Sequence, residues 1–426
     1  MTISFDRAYA EQQDREDPLA ELRAEFDIPC RKNGSPVVYL CGHSLGLQPK
    51  AARRILNEEL DAWSELAVDA HFDSKRPWVS YHEQLTPSLA RLAGARPSEV
   101  VAMNSLTVNL HLMLVSFYRP AGARRKILIE RRAFSSDRYA VRSHVAQRGI
   151  DPAAAVIEIE PPRAEGTFHT DDICELIARD AKEIALVLLP GVQYLTGQCF
   201  DMERIAATAR KHACVVGFDL AHAIGNIPLH LHDWDVDFAV WCGYKYLNGG
   251  PGAIGGCFVH ERHARAFHLP RFAGWWGHDK RSRFSMPDEF VPLAGAEGWQ
   301  ISNPAVFAAA PLLASFELFD RTGIDALRAK SIRLTGYLEL LLRAWLEESV
   351  EIVTPSAIEA RGCQLSLRLK KSRDEARAIH ERLSRLGYIC DWRDPDIIRV
   401  APVPLYNGFV DVWSFADALK RLCTAA

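Results

Sequence analysis

Short apolar runs alternate with helical patterns through the first two thirds of the chain. The runs EVVAMN, RKILIE, AAVIEIE, IALVLLP, CVVGFDL and DFAVWCG consist mainly of branched and aromatic side chains. Segments with helical patterns follow most of them, such as TVNLHLMLVSFY after the first run and AHAIG after CVVGFDL. Continuous apolar strands that alternate with helices indicate a mostly parallel sheet covered on both faces. The pattern therefore predicts an α/β fold.

This alternation ends after the strand pattern GAIGGCFVH. A polar, tryptophan-rich loop, GWWGHDKRSRF, follows, and a long helical stretch then runs from about Ala305 to Leu346. The strand patterns GCQLSLRL and DIIRVAP lie between helices near the end of the chain. We predict three parts: an N-terminal segment at 1–45 that packs with the small domain, a large domain at 46–305, and a smaller α+β domain at 306–426.

Composition narrows the class of protein. The chain has 426 residues, of which 48% are hydrophobic and 25% charged, with a formal net charge of -3, as in ordinary globular proteins. No basic stripe indicates nucleic-acid binding, and no apolar run reaches the roughly 20 residues of a membrane helix. The acidic N-terminus lacks the apolar core of a signal peptide. The ten cysteines are scattered without a C-x-x-C pair, which favours reduced thiols in a cytoplasmic protein.

Three motifs point to other functions but lack the necessary context. GPGAIG (250–255) fits the dinucleotide pattern G-x-G-x-x-G, yet a strand follows it where a helix is required. GHSLG (42–46) fits the nucleophile elbow of serine hydrolases, but too few residues precede it for the strands that this fold needs. The stretches HLHDWD and HERHARAFH lack metalloenzyme spacing, so we predict solvated histidines and no metal site.

Chemically reactive side chains lie where the predicted strands end. Asp219 ends the strand CVVGFD, His222 follows three residues later, and Lys245 lies just past DFAVWCG. Ligands of open α/β sheets bind outside the carboxyl ends of the strands. Lys245 also stands alone in an apolar and glycine-rich stretch, where burial of an ammonium group is costly unless it is paired or used chemically.

This set of residues suits pyridoxal phosphate. A lysine amine forms a Schiff base with the cofactor, an aspartate keeps the ring nitrogen protonated, and an aromatic residue stacks on the ring. NSLT (104–107) lies between a strand and a helix, so Thr107 and the amides around Leu106 are suited to bind the phosphate. FSSD (134–137) has the same position between a strand and a helix. We therefore predict pyridoxal 5'-phosphate as the cofactor.

The chain resembles the kynureninase family. Its members are fold-type-I pyridoxal-phosphate enzymes of the class V aminotransferase superfamily. The resemblance runs from about residue 38 to 408 and is most specific in GFDLAHA, CGYKYLNGGPG and IRVAPVPLYN, in this order. Other matching stretches are YLCGHSLGLQPK, MNSLTVNLHLML, KILIERRAFSSDRYA, GWWGH and ISNPAVF. The resemblance implies a seven-stranded, mostly parallel sheet in the large domain and a smaller α+β C-terminal domain.

The resemblance also implies roles for individual residues. Lys245 holds the cofactor and then removes the substrate α-proton, while Asp219 pairs with the ring nitrogen. Tyr244 is a candidate proton relay whose acidity we expect the cationic surroundings to raise. Arg399 pairs with the substrate α-carboxylate through two hydrogen bonds. The implied cofactor-binding residues are Leu106, Thr107, Phe134, Ser135, Ser136, Asp137, Asp219, His222, Tyr244, Lys245, Trp275 and Asn303. The implied substrate-binding residues are Ser44, His71, Asn303 and Arg399.

The implied reaction is hydrolysis of L-kynurenine to anthranilate and L-alanine in tryptophan degradation, with 3-hydroxy-L-kynurenine as a second candidate substrate. The family resemblance also implies a homodimer with active sites at the interface, where Trp275 and Asn303 serve the other subunit's site. Another fold-type-I β-lyase or desulfurase is the alternative, but no candidate reactive cysteine is evident. Two positions depart from the family pattern: His43 stands where asparagine is expected, and Pro190 where relatives carry serine.

Overall fold

The computed structural model describes residues 4–162 and 166–424. Its α-helices, numbered along the chain, are α1 (Arg7–Arg15), α2 (Lys50–Leu66), α3 (Ala70–Asp73), α4 (Thr86–Ala93), α5 (Leu106–Phe117), α6 (Ser135–Gln147), α7 (Pro152–Ala155), α8 (Thr170–Asp180), α9 (Met202–Lys211), α10 (Val306–Thr322), α11 (Ile324–Leu346), α12 (Arg373–Leu386) and α13 (Phe409–Thr424).

The strands are β1 (Phe26–Asp27), β2 (Val38–Tyr39), β3 (Gln48–Pro49), β4 (Val100–Ala102), β5 (Lys126–Glu130), β6 (Val156–Ile159), β7 (Ile184–Pro190), β8 (Val215–Asp219), β9 (Phe238–Trp241), β10 (Gly256–Val259), β11 (Val350–Ile352), β12 (Leu365–Leu369), β13 (Tyr388–Ile389), β14 (Asp391–Arg393) and β15 (Ile397–Val400). Across the ranges that the structure describes, every helix is too short or too polar to cross a lipid bilayer.

The central sheet is mostly parallel, as predicted. In the described part of the chain it has seven strands in the order β4-β10-β9-β8-β7-β5-β6. The strands from β5 to β9 run parallel, whereas β10 lies antiparallel between β4 and β9. Strands β4, β9 and β10 are buried along their whole length. Burial on both faces explains why these sequences are continuously apolar rather than alternating.

A four-stranded antiparallel sheet, β11-β12-β15-β14, forms the core of the C-terminal part together with α11, α12 and α13. The sequence predicts one long helix from about Ala305 to Leu346, but the structure has two, α10 and α11. Gly323, at a φ of 78°, lies between them and ends the first helix. The N-terminal segment contacts this part, since β2 pairs in parallel with β13 and the Asp14 carboxylate accepts hydrogen bonds from the backbone N–H groups of Phe409 and Val410. The domain boundaries stay a prediction.

The segment AHAIG after β8 differs from its sequence pattern, which predicts a helix. The structure has a series of turns there. The Asp219 carboxylate accepts a hydrogen bond of 2.7 Å from the backbone N–H of Ala221, so the chain turns immediately after the strand. This local competition with helix formation keeps Asp219 and His222 at the carboxyl end of the sheet.

Candidate active site

A cavity of about 140 Å³ lies at the carboxyl ends of the parallel strands. Strands β5, β7 and β8 end at this cavity with Glu130, Pro190 and Asp219. The other lining residues come from helix starts and from the turns after the strands. They are Leu106, Thr107, Phe134, Ser136, Asp137, Val192, Tyr194, Ala221, His222, Tyr244 and Lys245. Most of the predicted cofactor residues therefore share one space, although they span almost 140 positions in the sequence.

Lys245 lies in the turn after β9 and is half-buried. Its Nζ is 5.7 Å from the centre of the Phe134 ring and 5.8 Å from that of Tyr244. Among the described residues, no carboxylate forms a salt bridge with Lys245. The structure thus places a half-buried amine without an ion-pair partner beside two aromatic rings. Such an amine is available for covalent chemistry.

The glycine-rich segment GHSLG packs against this lysine turn. The backbone N–H of Gly46 donates a hydrogen bond of 2.9 Å to the carbonyl of Tyr244. A Cβ atom at Gly46 would lie 2.3 Å from the carbonyl oxygen of Lys245, so no side chain fits there. His43 in the same segment is fully buried, and both of its ring nitrogens lack a hydrogen-bond partner within the described residues. The motif is a close-packed turn that supports the lysine loop, not the nucleophile elbow of a hydrolase.

Three carboxyl groups, Glu130, Asp137 and Asp219, face the cavity. Burial, with a smaller contribution from the nearby Asp219, raises the pKa of Glu130 to about 8. Burial and the charge of Asp219 raise the pKa of Asp137 well above its ordinary value. Burial therefore favours the protonated form of both Glu130 and Asp137. We did not predict Glu130, although it ends the apolar strand RKILIE as Asp219 ends CVVGFD, and this charged strand end was a usable signal.

His222 is buried beside these carboxyls. Burial, followed by the positive charge of Lys245, lowers the pKa of His222 well below its ordinary value, so its imidazole is neutral. In the described residues, its Nδ1 and the Oε2 of Glu130 have no hydrogen-bond partner. Buried polar atoms that lack partners are costly, which indicates that a bound polar group completes the cavity.

Two helices start at the cavity, α5 at Leu106 and α6 at Ser135. Neither helix has a side-chain cap on its first N–H groups, because the residues before them, Ser105 and Phe134, form no capping hydrogen bond. Uncapped N–H groups at a helix start attract a phosphate or another anion. Ser135 itself is exposed and does not line the cavity, whereas Thr107 does.

Tyr244 differs from the sequence-based expectation in one respect. We expected nearby cations to make its hydroxyl more acidic. Burial and the neighbouring Cys242 instead raise the pKa of Tyr244 above its ordinary value. Its phenol is therefore a hydrogen-bond donor at neutral pH.

Arg399 contacts Tyr194, which lines the cavity. Its side chain is 1% exposed, and its Nη1 donates a hydrogen bond of 2.5 Å to the backbone carbonyl of Tyr194. The hydroxyl of Ser44 is 3.4 Å from Nη2. The structure thus brings together two predicted substrate residues, Arg399 and Ser44. We did not predict Tyr194, whose ring also contacts that of Phe134 at 5.3 Å between centres.

The remaining predicted residues lie elsewhere in the chain. His71 and Asn303 line a separate, mostly apolar cavity of about 210 Å³ together with Trp63, Trp78, Trp276, Pro304, Val306 and Phe307. Trp275, next to this cavity in sequence, is 43% exposed and donates a hydrogen bond from Nε1 to the carbonyl of Arg283. Within one chain, therefore, the structure does not bring His71, Trp275 and Asn303 to the lysine.

The histidine-rich stretches are not simply solvated, contrary to the prediction. His260 is buried, and Nδ1 of His232 lies 2.9 Å from the buried Glu99 carboxylate. The two imidazole rings stack with 5.0 Å between centres. GPGAIG, by contrast, precedes β10 as a loop with two left-handed glycines, Gly250 and Gly252, which agrees with rejecting a dinucleotide site.

Comparison with known proteins decides the family. One family model, the kynureninase C-terminal domain, matches residues 327–419, and another, the DegT/DnrJ/EryC1/StrS aminotransferase family, matches residues 77–229. The kynureninase of Koribacter versatilis (strain Ellin345) is 56% identical over 409 residues, which cover 96% of each chain. The chain belongs to the kynureninase family. A second kynureninase, from Xanthomonas campestris pv. campestris (strain B100), is 53% identical over 425 residues and covers 100% of each chain.

Solved structures share the fold with this kynureninase-family chain at low sequence identity. The cystine C-S lyase C-DES, in a variant with glycine covalently linked to its PLP cofactor, superposes with a TM-score of 0.75 at 19% identity over 92% of this chain and 97% of that one. The cysteine desulfurase CsdA of Escherichia coli gives a TM-score of 0.75 at 18% identity over 95% and 98% of the two chains. These likenesses establish the predicted fold type.

Proposed function

We propose that this chain hydrolyses L-kynurenine to anthranilate and L-alanine with pyridoxal phosphate bound at Lys245. The observation that carries the proposal is the cavity where the lysine, buried carboxyls and two uncapped helix starts meet. Its relatives support the choice of substrate, since proteins more than half identical over the full chain are named kynureninases.

The residues of the cavity fit the cofactor. The uncapped starts of α5 and α6 suit its phosphate, the Phe134 ring suits its flat face, and Asp219 suits its ring nitrogen. Burial raises the pKa of Glu130 and that of Asp137, so both carboxyls favour the neutral form more than an exposed carboxyl does. When bound, the cofactor supplies an electron sink for the negative charge that develops on the substrate carbon.

Lys245 has two proposed roles. Its amine would hold the cofactor covalently, and as a free amine the same nitrogen would take the α-proton of the substrate. Arg399 binds the α-carboxylate through N–H groups that Asp391 and Tyr194 do not take, and Ser44 lies next to this contact. Because Arg399 is buried, little water competes for its hydrogen bonds with the carboxylate.

Tyr244 is the proposed proton donor in the later steps, when the bond between Cβ and Cγ has broken and Cβ must be protonated. Its raised pKa keeps the phenol protonated at neutral pH, as a donor requires. His222 is the proposed neutral neighbour of the ring, since its depressed pKa prevents it from adding a second positive charge next to Lys245.

A second copy of the chain completes the site in this proposal. His71 and Asn303 lie in their own cavity, which is bordered by exposed aromatic side chains. Trp63 is 58% exposed, Phe72 is 57% exposed and Phe284 is 54% exposed, and Phe72 and Phe284 contact each other at 5.9 Å between centres. Exposed aromatic clusters of this kind mark protein interfaces. Pairing two chains here would bring His71, Trp275 and Asn303 to the partner's lysine site and the aryl ketone end of the substrate.

We further propose that the protein works in the cytoplasm. All ten cysteines are free thiols, which suits a reducing compartment. The same thiols argue against a desulfurase. Burial raises the pKa of Cys242 and that of Cys41, and a desulfurase needs a cysteine that ionises readily.

The test is to supply the purified, cofactor-loaded protein with L-kynurenine and to follow anthranilate by its fluorescence. We expect anthranilate and alanine in equal amounts. Parallel reactions with 3-hydroxy-L-kynurenine and L-cysteine separate the alternatives. Sulfide from L-cysteine without anthranilate from L-kynurenine would overturn the proposal in favour of a desulfurase of the same fold.

A further inference from the structure

We propose that Asp391 is a positioning residue that presents the Arg399 guanidinium to the substrate α-carboxylate. This inference deepens the proposed function and rests on it. Asp391 matches none of the sequence motifs considered above, and it acts through Arg399 rather than on the substrate itself.

The register of the small sheet fixes the two residues opposite each other. Strands β14 and β15 are antiparallel, and Asp391 is the cross-strand partner of Arg399. One carboxylate oxygen of Asp391, Oδ2, accepts hydrogen bonds from Nε of Arg399 at 2.7 Å and from Nη2 at 2.6 Å. Two hydrogen bonds from one guanidinium edge fix its orientation as well as its position.

The contacts of Arg399 leave room for one further carboxylate. A guanidinium has five N–H groups. Within the described residues, Asp391 takes one on Nε and one on Nη2, and the Tyr194 carbonyl takes one on Nη1. One N–H therefore remains free on Nη1, and the second N–H of Nη2 makes only a long hydrogen bond of 3.4 Å to the Ser44 hydroxyl, which a carboxylate would replace. Two N–H groups on adjacent nitrogens are the arrangement that binds a carboxylate in a bidentate manner.

The charges around Arg399 also favour the binding of one carboxylate. Asp391 also accepts a hydrogen bond of 2.8 Å from Nε of Arg393, so two guanidinium groups share one carboxylate. The trio has a net charge of +1, which one substrate carboxylate neutralises. Arg393 is 36% exposed and can be solvated, whereas Arg399 is 1% exposed and depends on its partners.

The test compares ligands with and without a carboxylate. L-Alanine, the proposed product, and L-alaninamide are titrated into the cofactor-loaded enzyme, and binding is read from the absorbance of the cofactor. For Asp391→Asn we expect the dissociation constant of L-alanine to rise about tenfold, the scale of one charge-assisted hydrogen bond, and that of L-alaninamide to change less than about twofold. The KM for L-kynurenine should rise with little change in kcat, because the carboxylate contact exists before and during the reaction.

Matched variants separate positioning from general damage to the fold. Asp396 lies in the same hairpin as Asp391, and its carboxylate is 3.8 Å from Nε of Arg368. Asp396→Asn should therefore leave both dissociation constants unchanged. In an Arg399→Gln background, Asp391→Asn should add no further loss. If the Asp391→Asn variant does not load cofactor, Asp391→Glu is used in its place, because glutamate keeps the charge but moves it by one methylene. We expect Asp391→Glu to weaken the binding of L-alanine by the same factor and to leave that of L-alaninamide unchanged.

Equal weakening of both ligands, unchanged L-alanine binding, or a full additional loss in the Arg399→Gln background would each overturn the inference. A wild-type enzyme that binds L-alanine but yields no anthranilate would overturn the proposed function instead. The L-alanine titration does not depend on the aryl group, so the two failures are distinguishable.

Discussion

The two cavities that hold the predicted site residues differ in how complete they are within one chain. The lysine cavity is built from strand ends and helix starts of one sheet, and its ionisable groups are mostly buried. The cavity of His71 and Asn303 is apolar and is bordered by exposed aromatic rings. In the proposed function, one sheet is enough to assemble the groups that act at the α-carbon, whereas the residues assigned to the aryl end need a second chain to complete their site.

This difference has a physical basis. Parallel strands bring their carboxyl ends to one edge regardless of what lies outside the sheet, so a single chain forms the lysine cavity. Aromatic side chains on a surface are stabilised only when another surface covers them. Variants that damage one cavity and spare the other test the comparison.

The largest effect is expected at the lysine cavity. Lys245→Ala removes the amine that is proposed to hold the cofactor and take the α-proton, so turnover should fall at least about 10³-fold. Anthranilate fluorescence measures the rate, and the loss of the lysine-bound cofactor absorbance measures the covalent link. A variant that keeps turnover within tenfold of wild type would remove Lys245 from the mechanism.

A large loss is also expected at the aromatic surface. The double variant Trp63→Glu with Phe72→Glu places two charges on the exposed rings and should yield monomers in light scattering, with turnover down by about 10²-fold. The lysine-bound cofactor absorbance should persist, because the lysine cavity lies within one chain. Leu386→Glu, which alters a 45% exposed leucine at the end of α12, is the control. A fully active monomer would contradict the proposed division of the site.

A smaller effect is expected at Tyr244. Tyr244→Phe keeps the ring but removes the proton donor, and turnover should fall about tenfold to a hundredfold, with the cofactor still bound. Steady-state rates across pH provide the measurement. Unchanged turnover would show that another group, or water, delivers the proton.

The smallest effect concerns the stability of the protein without cofactor. The pKa of Glu130 is raised to about 8 from its ordinary value of 4.5, so the folded state binds this proton more tightly than the unfolded state. The resulting stabilisation is present at low pH and is lost as pH rises from about 4.5 through 8. Relative to Glu130→Gln, wild type should lose roughly 4 kcal/mol of unfolding free energy between about pH 5 and pH 9.

Urea unfolding of both proteins at several pH values measures this difference. Parallel pH dependence of the two proteins would mean that Glu130 titrates normally and that the lysine cavity is wetter than its geometry indicates.

Much of the lysine cavity could be predicted because its residues lie at junctions that the sequence marks. Asp219 and Lys245 each follow an apolar strand, and Thr107 starts a helix after another strand. The helix prediction for AHAIG was wrong because a side-chain hydrogen bond outweighed the local helical pattern. AHAIG is a turn because Asp219 binds the backbone of Ala221, and no apolar periodicity records that hydrogen bond.

The sequence by itself determined the α/β fold and the alternation of strands and helices along the chain, and it singled out Lys245 at a strand end, since these depend on periodicity and on neighbours a few residues apart. Only the tertiary structure decided that Asp391 and Tyr194 hold Arg399, and that His71 and Asn303 lie apart from Lys245. It also decided that, among the residues described, one carboxylate oxygen of Glu130 has no hydrogen-bond partner. Those facts depend on how distant segments pack and on which groups lose water, and both are set by the folded molecule as a whole.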